Sequence, residues 1–314
     1  MSSKNIAILF AGQGSQYIGM GKDLYENIEE CREVFDKGEA ALEMDIKNLI
    51  FNGTEEELKL TENAQPAILL TSLAAAKALE VNGIEGDFTT GLSLGEYGSL
   101  IYGGALNFSD GLKLVRERGK IMGSSLPKGL GKMAAILKLN DEKVEELIKR
   151  ASEFGIIEGA NYNCPGQVVV SGENNAIEES VKIAKELSGM GVILNVSGPF
   201  HSSLLEGASL EFLKELEKVK FNNFNKIVYS NVLGAPYSDG DDLKELLRKH
   251  IKTAVLFEKT IRDMLDKGVD TFIEVGPGKA LRGFVKKIDR KAKVYNVENM
   301  ESLNKTIEDL KGNV

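Results

Sequence analysis

Residues 129–197 read strand–helix–strand–strand–helix–strand, and they interrupt a chain that otherwise alternates single strands with helices. The segment 132–139 is an apolar strand, and 141–154 has the spacing of an amphipathic helix. Strands 156–161 and 167–171 flank Asn163-Cys164-Pro165-Gly166, a turn sequence that predicts a hairpin. A helix over 176–188 and a strand over 192–196 complete the order βαββαβ, the ferredoxin-like arrangement. On either side lie strands at 6–10, 87–90, 226–230, 271–275 and 294–297. Helical patterns separate them at 23–43, 55–60, 66–80, 111–122, 206–219, 241–251, 257–267 and 279–287. Pro66 is expected near the first turn of its helix, and Ser109 or Asp110 is expected to cap the helix at 111. Such alternation favours a mostly parallel sheet covered on both faces.

Where the strand 87–90 meets a helix stands Thr90-Gly91-Leu92-Ser93-Leu94-Gly95-Glu96. Gly-x-Ser-x-Gly at a strand-to-helix turn is the pattern of a nucleophile elbow. The flanking glycines let the backbone close up, and the serine hydroxyl points outward. The N–H after the serine sits at a helix N-terminus, where it can meet an oxyanion. A glycine-rich turn with a serine helix cap is the plainer alternative. The expected fold is therefore α/β. A parallel-sheet, α/β-hydrolase-like core of residues 1–128 and 198–314 carries an inserted ferredoxin-like (βαββαβ) subdomain, 129–197.

A serine nucleophile needs a base. The chain has two histidines, His201 and His250. His201 lies in a loop where the insert returns to the core, the kind of join that lines clefts, whereas His250 ends a basic helix. His201 is favoured on that ground. Arg118 lies at helical spacing from Leu114, Ile121 and Met122, so it projects from an apolar face, while Arg116 shares the polar face with Lys113 and Lys120. An arginine there calls for an anion, either an internal carboxylate or a substrate's, unless its stem carries the charge to solvent. The loop Gly12-Gln13-Gly14 is no nucleotide site: Tyr17 replaces the third glycine of the dinucleotide pattern, and Asp23 follows Gly21-Lys22 where a P-loop needs Ser or Thr.

Composition narrows the function classes. The 314 residues are 42% apolar and 27% charged, enough for a sizeable core. No apolar run reaches the ~20 residues of a membrane span, and no basic-then-apolar leader opens the chain. Cys31 and Cys164, the only cysteines, show no paired or metal-type spacing. A cytoplasmic protein without membrane association is expected. The net charge of −8 argues against general nucleic-acid binding but leaves room for an acidic partner on a local basic patch. Arg248, Lys249, Lys252, Lys279, Arg282, Lys286 and Lys287 are candidates for it, or are simply solvated helix faces.

Six motifs in order resemble the malonyl-CoA:acyl carrier protein transacylase family over nearly the whole chain. They are Phe10-Ala11-Gly12-Gln13-Gly14-Ser15-Gln16, Gly91 to Glu96, Arg118-Gly119-Lys120, Asn161-Tyr162-Asn163-Cys164-Pro165-Gly166-Gln167, Pro199-Phe200-His201-Ser202 and Glu274-Val275-Gly276-Pro277-Gly278. The resemblance implies that Ser93 is acylated with malonyl, that His201 is its base, and that the N–H groups of Gln13 and Leu94 form the oxyanion hole. It implies Arg118 on the malonyl carboxylate, Asn161 positioning substrate, and the main-chain carbonyl at His250 orienting the catalytic histidine. Phe200 is similar to malonyl-selective members. Malonyl-CoA and acyl carrier protein would be the partners, with no metal and no resident cofactor, since malonyl-CoA and phosphopantetheine are substrates. Fatty-acid biosynthesis is the implied pathway, and a monomer is expected. Leu92 stands where the family usually has histidine, and His250 where it usually has glutamine. Ser93 and His201 would serve an ester or thioester hydrolase equally, and a carrier-binding scaffold without chemistry is the third possibility.

Overall fold

The computed structural model describes residues 5–124 and 129–312. The expected boundary at 128/129 abuts residues 125–128, which lie outside the described residues. Among the described residues ten strands follow in chain order: β1 (Ile6–Phe10), β2 (Phe88–Gly91), β3 (Lys132–Leu137), β4 (Ile157–Cys164), β5 (Gln167–Gly172), β6 (Met190–Ile193), β7 (Ile227–Ser230), β8 (Ala235–Pro236), β9 (Thr271–Val275) and β10 (Lys293–Val297). Six form one sheet in the order β10-β9-β1-β2-β7-β8, parallel throughout except for the short β8 at the edge. Both faces are covered. Ile8, Phe10, Ile273 and Val275 pack on one side with the helix Thr61–Val81. Ala7, Leu9 and Phe272 pack on the other with the helices Phe257–Asp266 and Ala280–Ile288. Continuous apolar runs such as Ala7-Ile8-Leu9-Phe10 suit a strand buried on both faces, because alternate side chains point to opposite layers.

The other four strands form a separate antiparallel sheet, β4-β5-β3-β6, with its own apolar core against the helices Asp141–Ala151 and Asn174–Glu186. Gly166 adopts φ 73° in the turn between β4 and β5, a conformation glycine takes without penalty. Two main-chain bonds pin this sheet to the main body. Tyr162 N–H donates to the Val255 carbonyl at 2.9 Å, and Val255 N–H donates to Ala160 at 2.8 Å. They hold the C-terminal half of β4 beside the main sheet. No described helix is long and apolar enough to cross a membrane.

Several boundaries differ from the sequence expectation. The helical stretch 23–43 is two helices, Lys22–Asn27 and Glu29–Leu42, separated by Ile28 in extended conformation. Pro66 lies in the second turn rather than the first, because the helix starts at Thr61. The helix expected from 111 begins at Phe108, since the Asn107 carbonyl already accepts the Gly111 N–H. The strand expected at 192–196 is β6, which ends at Ile193; Leu194 and Val196 instead line a cleft. The C-terminal helix Met300–Lys311, started by an Asn299–Ser302 capping box, was not foreseen.

Candidate active site

The elbow sits where β2 gives way to the helix Gly95–Tyr102. Ser93 has φ 55°, a left-handed backbone that costs a non-glycine residue ~1–3 kcal/mol. Both glycines are required by contact. A Cβ on Gly91 would stand 2.1 Å from the Gly95 carbonyl carbon, and one on Gly95 would stand 2.3 Å from the Phe10 carbonyl oxygen. The elbow is therefore closed on itself and pressed against the end of β1. A Cβ on Gly12 would meet the Leu92 carbonyl oxygen at 2.8 Å, so the loop after β1 also abuts it.

His201 lies 3% exposed in a loop, also left-handed at φ 58°. Its Nε2 is 2.8 Å from Ser93 Oγ, and its Nδ1 is 2.8 Å from the His250 carbonyl oxygen. A carbonyl only accepts, so Nδ1 carries the proton and Nε2 is free to accept from the serine hydroxyl. Burial, and then the Arg118 charge, push the His201 pKa down to about 3, which the bond to the His250 carbonyl does not offset. The base is thus kept neutral. The His250 ring is wholly buried and lies tilted at 32° to the His201 ring, with the ring centres 5.2 Å apart. Of the two histidines, His201 is the one that reaches the serine.

Arg118 is 0% exposed. Its Nη2 donates to Ser93 Oγ at 3.1 Å and its Nη1 to Gln65 Oε1 at 2.8 Å. Its guanidinium lies 5.5 Å from the centre of the Tyr97 ring. Among the described residues no carboxylate forms a salt bridge with it, and Nε has no hydrogen-bond partner. The internal ion pair weighed from the sequence is absent there. Instead a buried cation faces the serine with only neutral partners and the more distant field of Glu96. An anion arriving beside Ser93 would complete it.

Gln13 projects into the same region: its Oε1 accepts from Gln65 Nε2 at 3.4 Å and its Nε2 donates to Thr61 Oγ1 at 3.4 Å. Among the described residues no acceptor is bonded to the main-chain N–H of Gln13 or of Leu94. Asn161 is 8% exposed on β4 and faces the cleft with Asn163. The cleft holds about 260 Å³ and runs between the loops that follow β1 and β2 and the strands β3, β4 and β5. Leu92, Met133, Val169, Leu194, Phe200 and Phe284 make much of its wall. Glu274, at the end of β9, accepts the N–H groups of Leu281 and Arg282, so it starts the helix that forms one side of the cleft.

A sequence profile of the acyl transferase domain matches residues 8–314. The chain belongs to the acyl transferase family. A Bacillus subtilis (strain 168) protein named malonyl CoA-acyl carrier protein transacylase is 43% identical over 98% of this chain and 97% of its own length. The crystal structure of a malonyl CoA-acyl carrier protein transacylase from Clostridium perfringens is 48% identical, with a TM-score of 0.95 over 98% of this chain and 97% of that one. A further solved structure, 31% identical with a TM-score of 0.93 over 97% of this chain and 99% of that one, is a malonyl-transacylase in complex with its type II PKS acyl-carrier protein.

In this acyl transferase a second tier of residues holds the first, and sequence reasoning missed it. Asn231 bridges the elbow: its Oδ1 accepts from Ser93 N–H and its Nδ2 donates to the Gly91 carbonyl, both at 2.8 Å. Glu96 is fully buried, and burial lifts its pKa to about 7 against the hydrogen bond from Tyr237, the nearby Asn231 N–H and Ser230, and the charge of Arg118. Its Oε2 lies 3.1 Å from His250 Nδ1, without the alignment of a hydrogen bond. Gln65 links Arg118 to the Gln13 loop. Gln65 alone had a signal: an amide that shares a helix face with Ile68 and Leu69 in a stretch buried all round is as anomalous as Arg118 on its own helix.

Proposed function

We propose that this acyl transferase moves a malonyl group from malonyl-CoA to the pantetheine thiol of acyl carrier protein, through a malonyl ester on Ser93, in fatty-acid biosynthesis. The carrying observation is one atom with two neighbours: Ser93 Oγ stands 2.8 Å from the neutral base His201 and 3.1 Å from a buried arginine that has no ion-pair partner among the described residues. A nucleophile with a base is common to many serine enzymes. A waiting cation beside it selects an acyl group that ends in an anion. The names of the relatives point to the same cargo and the same acceptor.

In the first half-reaction His201 Nε2 takes the Ser93 proton as Oγ attacks the thioester carbonyl. The N–H groups of Gln13 and Leu94 receive the oxyanion. The intermediate collapses, the C–S bond breaks, and the imidazolium returns its proton to the CoA thiolate. In the second half-reaction the pantetheine thiol gives its proton to His201 and attacks the ester, and Ser93 leaves with that proton. Arg118 holds the malonyl carboxylate so that the carbonyl stays in line for each attack. The His250 carbonyl keeps the His201 ring in register through Nδ1. Asn161 positions substrate from the cleft wall, and Phe200, 6% exposed beside His201, supplies the malonyl-selective surface. No resident cofactor or metal enters these steps.

The division into an α/β-hydrolase-like core and a ferredoxin-like subdomain belongs to the same reading. It is supported by the parallel sheet that carries the elbow and by the order β4-β5-β3-β6, the order of a ferredoxin-like sheet. The carrier protein is acidic in this reading, and its landing surface is the basic helix Ala280–Ile288 with Lys279, beside the cleft. Arg248 and Lys252 fit that role less well, because Glu245 and Glu206 already engage them. The test is incubation with malonyl-CoA and a pantetheine-loaded carrier protein, followed by mass spectrometry of the carrier. Malonyl-carrier should form with wild type and not with Ser93→Ala. Rapid release of free malonate with no loaded carrier would contradict transfer and indicate a hydrolase.

A further inference from the structure

Ser93 leaves the sheet just after β2, and the neighbouring β7 does not follow it. The β2–β7 pairing runs Phe88↔Ile227 and Thr89↔Val228, and β7 ends at Ser230. The next residue is Asn231, 0% exposed. In a parallel ladder, one residue of a strand donates its N–H to a carbonyl on its neighbour and accepts the N–H two residues further along. Asn231 makes that same pair of bonds with its side chain: Nδ2 to the Gly91 carbonyl, Oδ1 from the Ser93 N–H, each 2.8 Å. Its own main chain is fixed as well. Its carbonyl accepts the Leu256 N–H at 2.9 Å. Both ends of its side-chain amide and its own carbonyl are therefore engaged.

We propose that Asn231 is a positioning residue for the nucleophile, its side-chain amide standing in for the peptide of a neighbouring strand and holding Ser93 in the left-handed conformation that aims Oγ at His201. This rests on Ser93 being the nucleophile. The amide has a second consequence. It takes the Ser93 N–H out of play, so the first unclaimed donor after the elbow is the N–H of Leu94, at the start of the helix Gly95–Tyr102. A single amide thus fixes where the hydroxyl points and which peptide faces the developing oxyanion. Without it, a buried N–H and a buried carbonyl lose their partners beside a residue already held in left-handed backbone.

A merely structural residue and a positioning residue separate in pre-steady-state kinetics. Asn231→Leu keeps the branched shape and removes both bonds, and Asn231→Ala serves if the first variant does not fold. Rapid-quench acylation by malonyl-CoA, read by intact mass, gives a rate constant for the folded molecules and an amplitude for their number. The rate constant should fall about 100-fold, the scale of a 1 Å misplacement. The final adduct per folded molecule should stay near one, and the malonyl-CoA concentration for half-maximal rate should shift less than about 3-fold. An amplitude loss with an unchanged rate constant would overturn the proposal, because Asn231 would then serve the fold alone. Absence of any adduct on the wild type would instead overturn the assignment of Ser93, and this inference with it.

Discussion

Replacing Arg118 with alanine should separate two acyl donors that differ by one carboxylate. In the wild type the guanidinium is 0% exposed and 3.1 Å from Ser93 Oγ, with no salt-bridge partner among the described residues. A malonyl carboxylate held there gains charge-assisted hydrogen bonds of about 1.5–3 kcal/mol each. Removing one partner of a buried, bonded ion pair costs about 3–5 kcal/mol, because the other charge is left without a counterion. At about 1.4 kcal/mol per decade, malonyl kcat/KM should fall roughly 100- to 4,000-fold. Acetyl-CoA has no carboxylate to lose, so its kcat/KM should change less than about 10-fold, reflecting only the bond to Ser93 Oγ. The assay is transfer from each donor to a pantetheine thiol under identical conditions. Equal losses for malonyl and acetyl would refute the carboxylate clamp. A second effect should accompany the first. The Arg118 charge is one of two causes that hold the His201 pKa down, so the acid limb of the variant's pH profile should move to higher pH.

In the wild type that limb should lie low. A base held at about 3 stays neutral as pH falls through 6.5, so kcat/KM should show no histidine inflection near 6.5; one found there would contradict the buried neutral base. His250→Gln should keep kcat within about 3-fold, since a main-chain carbonyl survives substitution of its side chain, and a loss above roughly 30-fold would give the imidazole itself a role. Gly91→Ala should lower unfolding stability by more than about 3 kcal/mol in urea titration, because the new Cβ would stand 2.1 Å from main-chain carbon and neither segment can give way.

What was legible in the sequence was whatever leaves a local trace. Ser93 is marked by glycines two residues away on each side, and Arg118 by its phase within one helix. His201 is set apart from the one other histidine by its loop position where the insert returns to the core. Asn231 and Tyr237 act on partners about 140 residues away, across a sheet whose strand order no local pattern states. Glu96 lies inside the elbow motif, yet its burial and its nearness to His250 appear only once the helix after the elbow is packed. The two chain-specific departures resolve differently. His250 meets the catalytic histidine through its main-chain carbonyl, whereas Leu92 lines the cleft itself and adds to its apolar wall.

The most direct measurement is the intact mass of the protein after brief incubation with malonyl-CoA and no carrier. If Ser93 receives the acyl group, the wild type gains the mass of one malonyl group, peptide mapping places it on Ser93, and Ser93→Ala gains nothing. A wild type that stays unmodified, or an adduct that persists in Ser93→Ala, would contradict the assignment of Ser93 as the acylated nucleophile.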